Sequence, residues 1–170
     1  MSQESLWKAP LPLAVALRPH TLDDVIGQDR ALVSGGPLRA LADPGHRGSA
    51  SSVILWGPPG TGKTTIASVI ARSSGREFVE LSAVTAGVKD VRDVLAHART
   101  IGDTTGVAPV LFLDEIHRFS KAQQDALLPG VENGVIVLVA ATTENPSFSV
   151  ISPLLSRSIV VTLSSLEPQD

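Results

Sequence analysis

The 170-residue sequence contains no cysteine. That excludes disulfides, Cys-ligated zinc and thiol catalysis together, and it suits a reducing compartment. Long hydrophobic runs are also missing. The longest, residues 135–141, is far short of the ~20 residues that span a bilayer, so no membrane association is expected. Residues 1–10 carry Glu4 and Lys8 and no apolar stretch, unlike a secretory signal. Nor is there an excess of positive charge. A net charge of −3 and a pI near 5.8 argue against a broadly basic nucleic-acid-binding surface, so any DNA contact has to come from a local patch. What is present is apolar content: 43% hydrophobic, 18% charged, mean hydropathy +0.21. Such a chain is too apolar for general disorder, and its length suits one domain.

Five apolar runs recur along the chain, at residues 53–56, 78–81, 110–113, 135–141 and 159–163, the second of them weaker. Short, continuous apolar runs bounded by turn formers predict strands buried on both faces. Between them lie helical patterns. Residues 63–74 carry Ile66, Ala67, Val69, Ile70 and Ala71, with Gly75 as a stop; residues 88–101 place Val88, Val91, Leu95, Ala98 and Ile101 on one face before Gly102. A helix over 120–128 is expected to end at Pro129, and Ser152-Pro153 reads as a cap opening a short helix through Arg157. The Gly-, Pro- and Ser-rich residues 42–52 read as a surface loop. Strands alternating with helices predict an α/β fold with a five-stranded parallel sheet, whose ligands bind at the carboxyl ends of the strands.

The first strand runs into Gly57-Pro58-Pro59-Gly60-Thr61-Gly62-Lys63-Thr64, a full match to G-x-x-x-x-G-K-[ST]. Glycine lets the backbone curl so that successive N–H groups face one concavity, and the following helix N-terminus adds its dipole. Lys63 is expected on the β- and γ-phosphates of ATP, with Thr64 on Mg²⁺ and Thr65 completing the loop. A strand before the motif and an amphipathic helix after it set it apart from an ordinary Gly/Pro turn. A dinucleotide site competes poorly, because Gly60-x-Gly62 is followed by Thr65 where the third glycine belongs.

The third strand ends in Asp114-Glu115. With a phosphate loop upstream, Asp114 suits Mg²⁺ and Glu115 suits the attacking water; alone, the pair reads equally as a solvated strand end. Asp114-Glu115-Ile116-His117 also spells a helicase motif, but a two-lobed helicase core needs a longer chain. The fourth strand ends in Thr142-Thr143, either of which suits a phosphate sensor or a simple turn. Arg157 is the only charged residue between Glu144 and Glu167 and suits a finger for a neighbouring site, or a plain surface role. Lys89, Arg92 and Arg99 share a helix face with Asp90 and Asp93, and Lys121 opens the next helix; they read as a solvated face or as contacts to a phosphate backbone.

Taken together, these motifs resemble the AAA+ ATPases, a branch of the P-loop NTPases, and most of all their clamp-loader and branch-migration clade. Residues 81–90, 114–129 and 141–148 narrow the resemblance to the replication-associated recombination ATPases, which have a Werner-helicase-interacting relative in eukaryotes. Three positions depart from the expected pattern: Ser120, Gly130 and Ser158. The resemblance implies an AAA+ large subdomain over residues 17–164, after an N-terminal arm over 1–16. Residues 165–170 read as the start of a linker to a helical lid that this stretch does not include. It implies that Arg18, Pro19, Val25 and Ile26 surround the adenine. It further implies a cytoplasmic, nucleoid-associated, DNA-dependent ATPase acting at stalled or damaged forks, with DNA ends or junctions and single-stranded-DNA-binding protein as partners. The full-length form would be a homo-oligomer in which Arg157 acts in trans. A nucleotide-gated scaffold with little turnover is the alternative, and a P-loop metabolite kinase is disfavoured by Asp114-Glu115 and Arg157.

Overall fold

The computed structural model describes residues 17–46 and 51–170; the expected N-terminal arm, and residues 47–50 of the expected loop, lie outside the described residues. Five strands are present: β1 (Ser52–Trp56), β2 (Phe78–Ser82), β3 (Val110–Asp114), β4 (Val137–Thr142) and β5 (Ser158–Thr162). All pair in parallel, in the order β2-β3-β4-β1-β5. The α-helices are α1 (Pro37–Ala42), α2 (Lys63–Ser74), α3 (Val88–Thr105), α4 (Lys121–Glu132), α5 (Pro146–Ser149) and α6 (Ser152–Leu155), with 3-10 turns at Leu22–Asp24 and Ile116–Arg118.

Alternation along each central strand divides the core into two layers. Val53, Leu55, Phe112, Val139 and Ala141 join Leu38 and Leu41 of α1 and Ile66 and Ile70 of α2 on one face. Ile54, Leu111, Leu113, Leu138 and Ala140 join Val91 and Leu95 of α3 and Leu127 of α4 on the other. The expected parallel α/β sheet is therefore present, with every central strand apolar on both sides, which is why those strands read as unbroken runs. The edge strands β2 and β5 depart from the expected burial on both faces: β2 is only half-buried, and β5 exposes Ile159 and Val160, because each has a neighbouring strand on one side only.

Several boundaries differ from the sequence expectation. Helix α3 continues past Gly102 and stops where Gly106, at φ 78°, turns left-handed. Helix α4 passes through Pro129 to Glu132. Leu127 and buried Gly130 hold that last turn on the core, while exposed Pro129 forgoes its N–H bond on the outer side. The first two residues of the expected fourth strand are used as a helix stop, because the N–H groups of Val135 and Ile136 both donate to the Gly130 carbonyl. Ile151 rather than Ser152 caps α6, which ends at Leu155. Short helices α1 and α5 have no counterpart in the sequence pattern.

The three departures from the family pattern have local explanations. Ser120 caps α4, its hydroxyl accepting from the Gln123 N–H while Gln123 Oε1 accepts from the Ser120 N–H. A Cβ at Gly130 would stand 2.4 Å from Leu95 Cδ2, so glycine lets α4 approach α3. Ser158 Oγ donates to the Leu154 carbonyl at 2.7 Å.

Candidate active site

Sheet order places the loop after β1 between the ends of its two neighbours. Trp56 is level with Thr142 of β4 and Thr162 of β5. Pairing continues past the strands: the Gly57 N–H donates to the Thr142 carbonyl at 3.1 Å, and the Leu163 N–H donates to the Trp56 carbonyl at 2.8 Å. A Cβ on Gly57 would meet the Leu163 carbonyl oxygen at 2.8 Å, so only glycine starts this loop without displacing the chain just past β5. Gly60 and Gly62 have φ of 76° and 89°, in the left-handed region that glycine enters freely. Between them Thr61 is buried, its hydroxyl donating to the Pro58 carbonyl at 2.9 Å.

The Lys63 ammonium folds back over this loop. It donates to the carbonyls of Gly57 at 2.8 Å and Pro58 at 2.7 Å, and to Thr61 Oγ1 at 3.3 Å. Burial lowers the Lys63 pKa from its ordinary value, and the negative charge of Asp114 opposes that shift. A partly desolvated ammonium beside the N-terminus of α2 is matched to an anion, which would replace the water it has lost. Exposed Thr64 and half-buried Thr65 occupy the first turn of α2, where backbone N–H groups lack intrahelical acceptors.

Asp114 ends β3, and the ladder with β4 runs up to Leu113↔Ala140, so Asp114 stands at the same edge as Gly57 and Thr142. Glu115 follows in a left-handed conformation, φ 56° and ψ 47°, the one non-glycine with positive φ among the described residues. Its carboxylate lies 3.5 Å from Arg118 Nε. No group of three or more His, Cys, Asp or Glu side chains among the described residues is placed to hold a metal alone. Mg²⁺ needs no such group, because it is held by one or two protein ligands with phosphate oxygens and water filling the rest. Thr64 and Asp114 fit that requirement.

The two sensor candidates separate. Thr142 is buried, and its hydroxyl is occupied: the Glu144 N–H donates to it at 3.0 Å, His117 Nδ1 lies at 3.0 Å and the Glu144 carbonyl at 3.3 Å. Thr143 is exposed, and its hydroxyl has no hydrogen-bond partner among the described residues. Of the four adenine-pocket residues, Val25 and Ile26 lead directly into Gln28, which bonds the phosphate loop at Thr61. Arg18 and Pro19 adjoin His20, whose ring meets the Arg72 guanidinium from the last turn of α2 at 2.8 Å. The structure thus ties the end of that segment, not its start, to the loop.

Arg157 stands at the opposite edge of the sheet. It precedes Ser158, which is level with Ser52 at the start of β1. Its guanidinium pairs with Glu132 at 3.3 Å and donates to the Pro153 carbonyl at 3.1 Å. Lys89, Arg92 and Lys121 are exposed at the starts of α3 and α4, and Gln123 of α4 donates to the Ala86 carbonyl just before α3, which holds the two starts together. Sequence reasoning missed Gln28 and Arg118. Arg118 follows Glu115 at a readable three-residue spacing, whereas Gln28 bonds residues 33 and 136 positions away and leaves no local sign.

Comparison with known proteins agrees with this arrangement. The sequence pattern of the ATPase family associated with various cellular activities (AAA) matches residues 53–165. Replication-associated recombination protein A of Escherichia coli K12 is 50% identical over 159 residues, 94% of this chain and 35% of that protein. The ATPase WRNIP1 of Dictyostelium discoideum is 44% identical over 163 residues, 96% of this chain and 18% of that protein. The chain thus spans about a third or less of the length of these relatives. The Thermotoga maritima RuvB Holliday junction branch migration motor superposes with a TM-score of 0.69 at 33% identity, over 88% of this chain and 48% of that one. A parallel sheet ordered β2-β3-β4-β1-β5 with its phosphate loop after β1, matched over most of its length by these proteins, makes the chain a member of the AAA ATPase family.

Proposed function

We propose that this chain is an ATP-binding and ATP-hydrolysing core whose cycle is coupled to DNA remodelling at stalled or damaged replication forks. The observation that carries the ATPase reading is the meeting, at one sheet edge, of the Gly57–Thr65 loop with the Asp114-Glu115 pair. In this reading the backbone N–H groups of residues 57–62 and the Lys63 ammonium bind the phosphates. Thr64 and Asp114 hold Mg²⁺, which neutralises charge on the transferred group. Glu115 orients the attacking water and takes its proton. Thr143, with an open hydroxyl, is the phosphate sensor, and Thr142 braces the strand end. Val25 and Ile26 border the base.

Arg157 serves the neighbouring subunit of a homo-oligomer, since its place at the far edge of the sheet separates it from its own loop. DNA ends or single-stranded/double-stranded junctions meet the paired helix starts at Lys89, Arg92 and Lys121. Support for the DNA role comes from relatives named for replication-associated recombination and from a branch-migration motor of like fold. In the same reading single-stranded-DNA-binding protein is a partner, and the location is cytoplasmic and nucleoid-associated. No helix among the described residues is long and apolar enough to cross a membrane. The test is ATP turnover by the protein with and without forked or single-stranded DNA, beside Lys63→Ala. Turnover that rises with DNA and vanishes in the variant is expected; ATP binding without DNA-dependent turnover would instead indicate a nucleotide-gated scaffold.

A further inference from the structure

Gln28 is a buried polar side chain, 3% exposed, with its amide fully engaged by distant segments. Nε2 donates to the Thr61 carbonyl at 3.2 Å and to the Ser164 carbonyl at 2.8 Å, and Oε1 accepts from the Ser164 N–H at 3.1 Å. Toward Ser164 the side chain offers one donor and one acceptor, as a peptide unit of a neighbouring strand would. It therefore extends the pairing of β5 just beyond Thr162 and holds the chain that leaves the sheet. That chain then folds back over the same segment, since a Cβ on Gly27 would meet Leu166 Cδ2 at 2.5 Å and Asp170 Oδ2 at 2.8 Å.

Toward Thr61 the consequence is geometric. In a planar trans peptide the C=O and the following N–H point in opposite directions. A Thr61 carbonyl drawn outward to Gln28 thus turns the Gly62 N–H inward, to the side of the phosphate concavity. Glycines with positive φ flank Thr61 on both sides, so this peptide is freer to rotate than most. Among the described residues the Thr61 carbonyl takes no other hydrogen bond.

We infer that Gln28 is a positioning residue that sets the Thr61–Gly62 peptide for phosphate binding and joins that peptide, through one amide, to the chain leaving β5 at Ser164. The inference rests on the ATP-site reading above. An anion that fixes the Gly62 N–H strengthens the Thr61–Gln28 bond, and by reciprocity it tightens the hold on Ser164. The phosphate loop thereby reports its occupancy to the segment that follows the sheet.

Two variants test this. Gln28→Met keeps the volume and removes all three bonds; Gln28→Glu keeps an acceptor for the Ser164 N–H and removes the donor to Thr61. Dissociation constants for Mg·ADP and for adenosine are measured with amide exchange at Ser164 and the thermal midpoint. Both variants are expected to bind Mg·ADP about five- to tenfold more weakly, the scale of one net hydrogen bond, with adenosine affinity unchanged. Mg·ADP is expected to slow Ser164 exchange in the wild type and not in Gln28→Met. Wild-type affinity for Mg·ADP in both variants, or equal losses for Mg·ADP and adenosine, overturns the inference while leaving the ATP site standing. A folded wild type that binds no Mg·ADP overturns the ATP-site reading and this inference with it. Should neither variant fold, the wild type decides: Ser164 exchange unmoved by saturating Mg·ADP overturns the coupling.

Discussion

Replacing Arg157 with alanine separates a residue that serves its own site from one that serves the next. The strand register fixes the distance involved. Ser158 is level with Ser52, so Arg157 stands six residues below Gly57 along the strand direction, or about 20 Å at roughly 3.3 Å per residue. No arginine side chain spans that. The pair with Glu132 does not lock the guanidinium in place either. Both side chains are nearly half exposed, 45% and 44%, and a pair of that kind contributes at most about 1 kcal/mol, roughly fivefold in an equilibrium. An arginine finger supplied to a phosphoryl-transfer site is worth about 10³–10⁵ in rate. Releasing Arg157 from Glu132 therefore costs little against what a finger in the proposed trans role would supply.

The expected result is that Arg157→Ala loses at least ~10³ in turnover and keeps its ATP affinity. The decisive assay mixes it with Lys63→Ala. Each parent is inactive, yet an interface joining the intact loop of one to the intact arginine of the other is complete. Random mixing at equal amounts completes about a quarter of the head-to-tail interfaces, and phosphate release should recover to about that fraction of wild type. No recovery after subunit exchange, or Arg157→Ala turnover within tenfold of wild type, refutes the reasoning.

Other variants address the rest of the site and the fold. Glu115→Gln should keep ATP binding and lose about 10²–10⁴ in turnover, the range of a positioned general base; equilibrium nucleotide binding beside single-turnover hydrolysis checks it. Lys89→Glu with Arg92→Glu should weaken DNA binding and flatten its dependence on salt by about one unit of slope for each phosphate no longer neutralised, seen in titrations at several salt concentrations. Gly130→Leu should cost about 1–3 kcal/mol by overpacking Leu95, and Leu95→Ala in the same chain should recover part of it. Denaturant unfolding measures both, and strictly additive effects count against the proximity of the two residues.

Much of this architecture is legible in the sequence because the signals are local. Strands buried on both faces spell unbroken apolar runs, and the loop after β1 needs glycine at fixed positions, so both are written in consecutive residues. Helix α1 is hidden because six residues, Pro37–Ala42, give too few turns to show a period. Pro129 misleads for a physical reason: proline blocks one hydrogen bond, and on the outer face of α4 that loss is outweighed by burial on the inner face. Gln28 and the Thr142–His117 contact are out of reach because their partners lie far along the chain, where no spacing rule applies. The distinction between Thr142 and Thr143 needs burial, which adjacent identical residues do not reveal.

The left-handed backbone at Glu115 has an evolutionary consequence. An L-residue there is destabilised by about 1–2 kcal/mol, and glycine hardly at all. Glu115→Gly should therefore raise the midpoint of unfolding while abolishing turnover. On the proposed role of Glu115, selection for heat resistance alone would erase the side chain, and selection for hydrolysis would retain it. A position where robustness and activity pull in opposite directions marks the chemistry without reference to any motif.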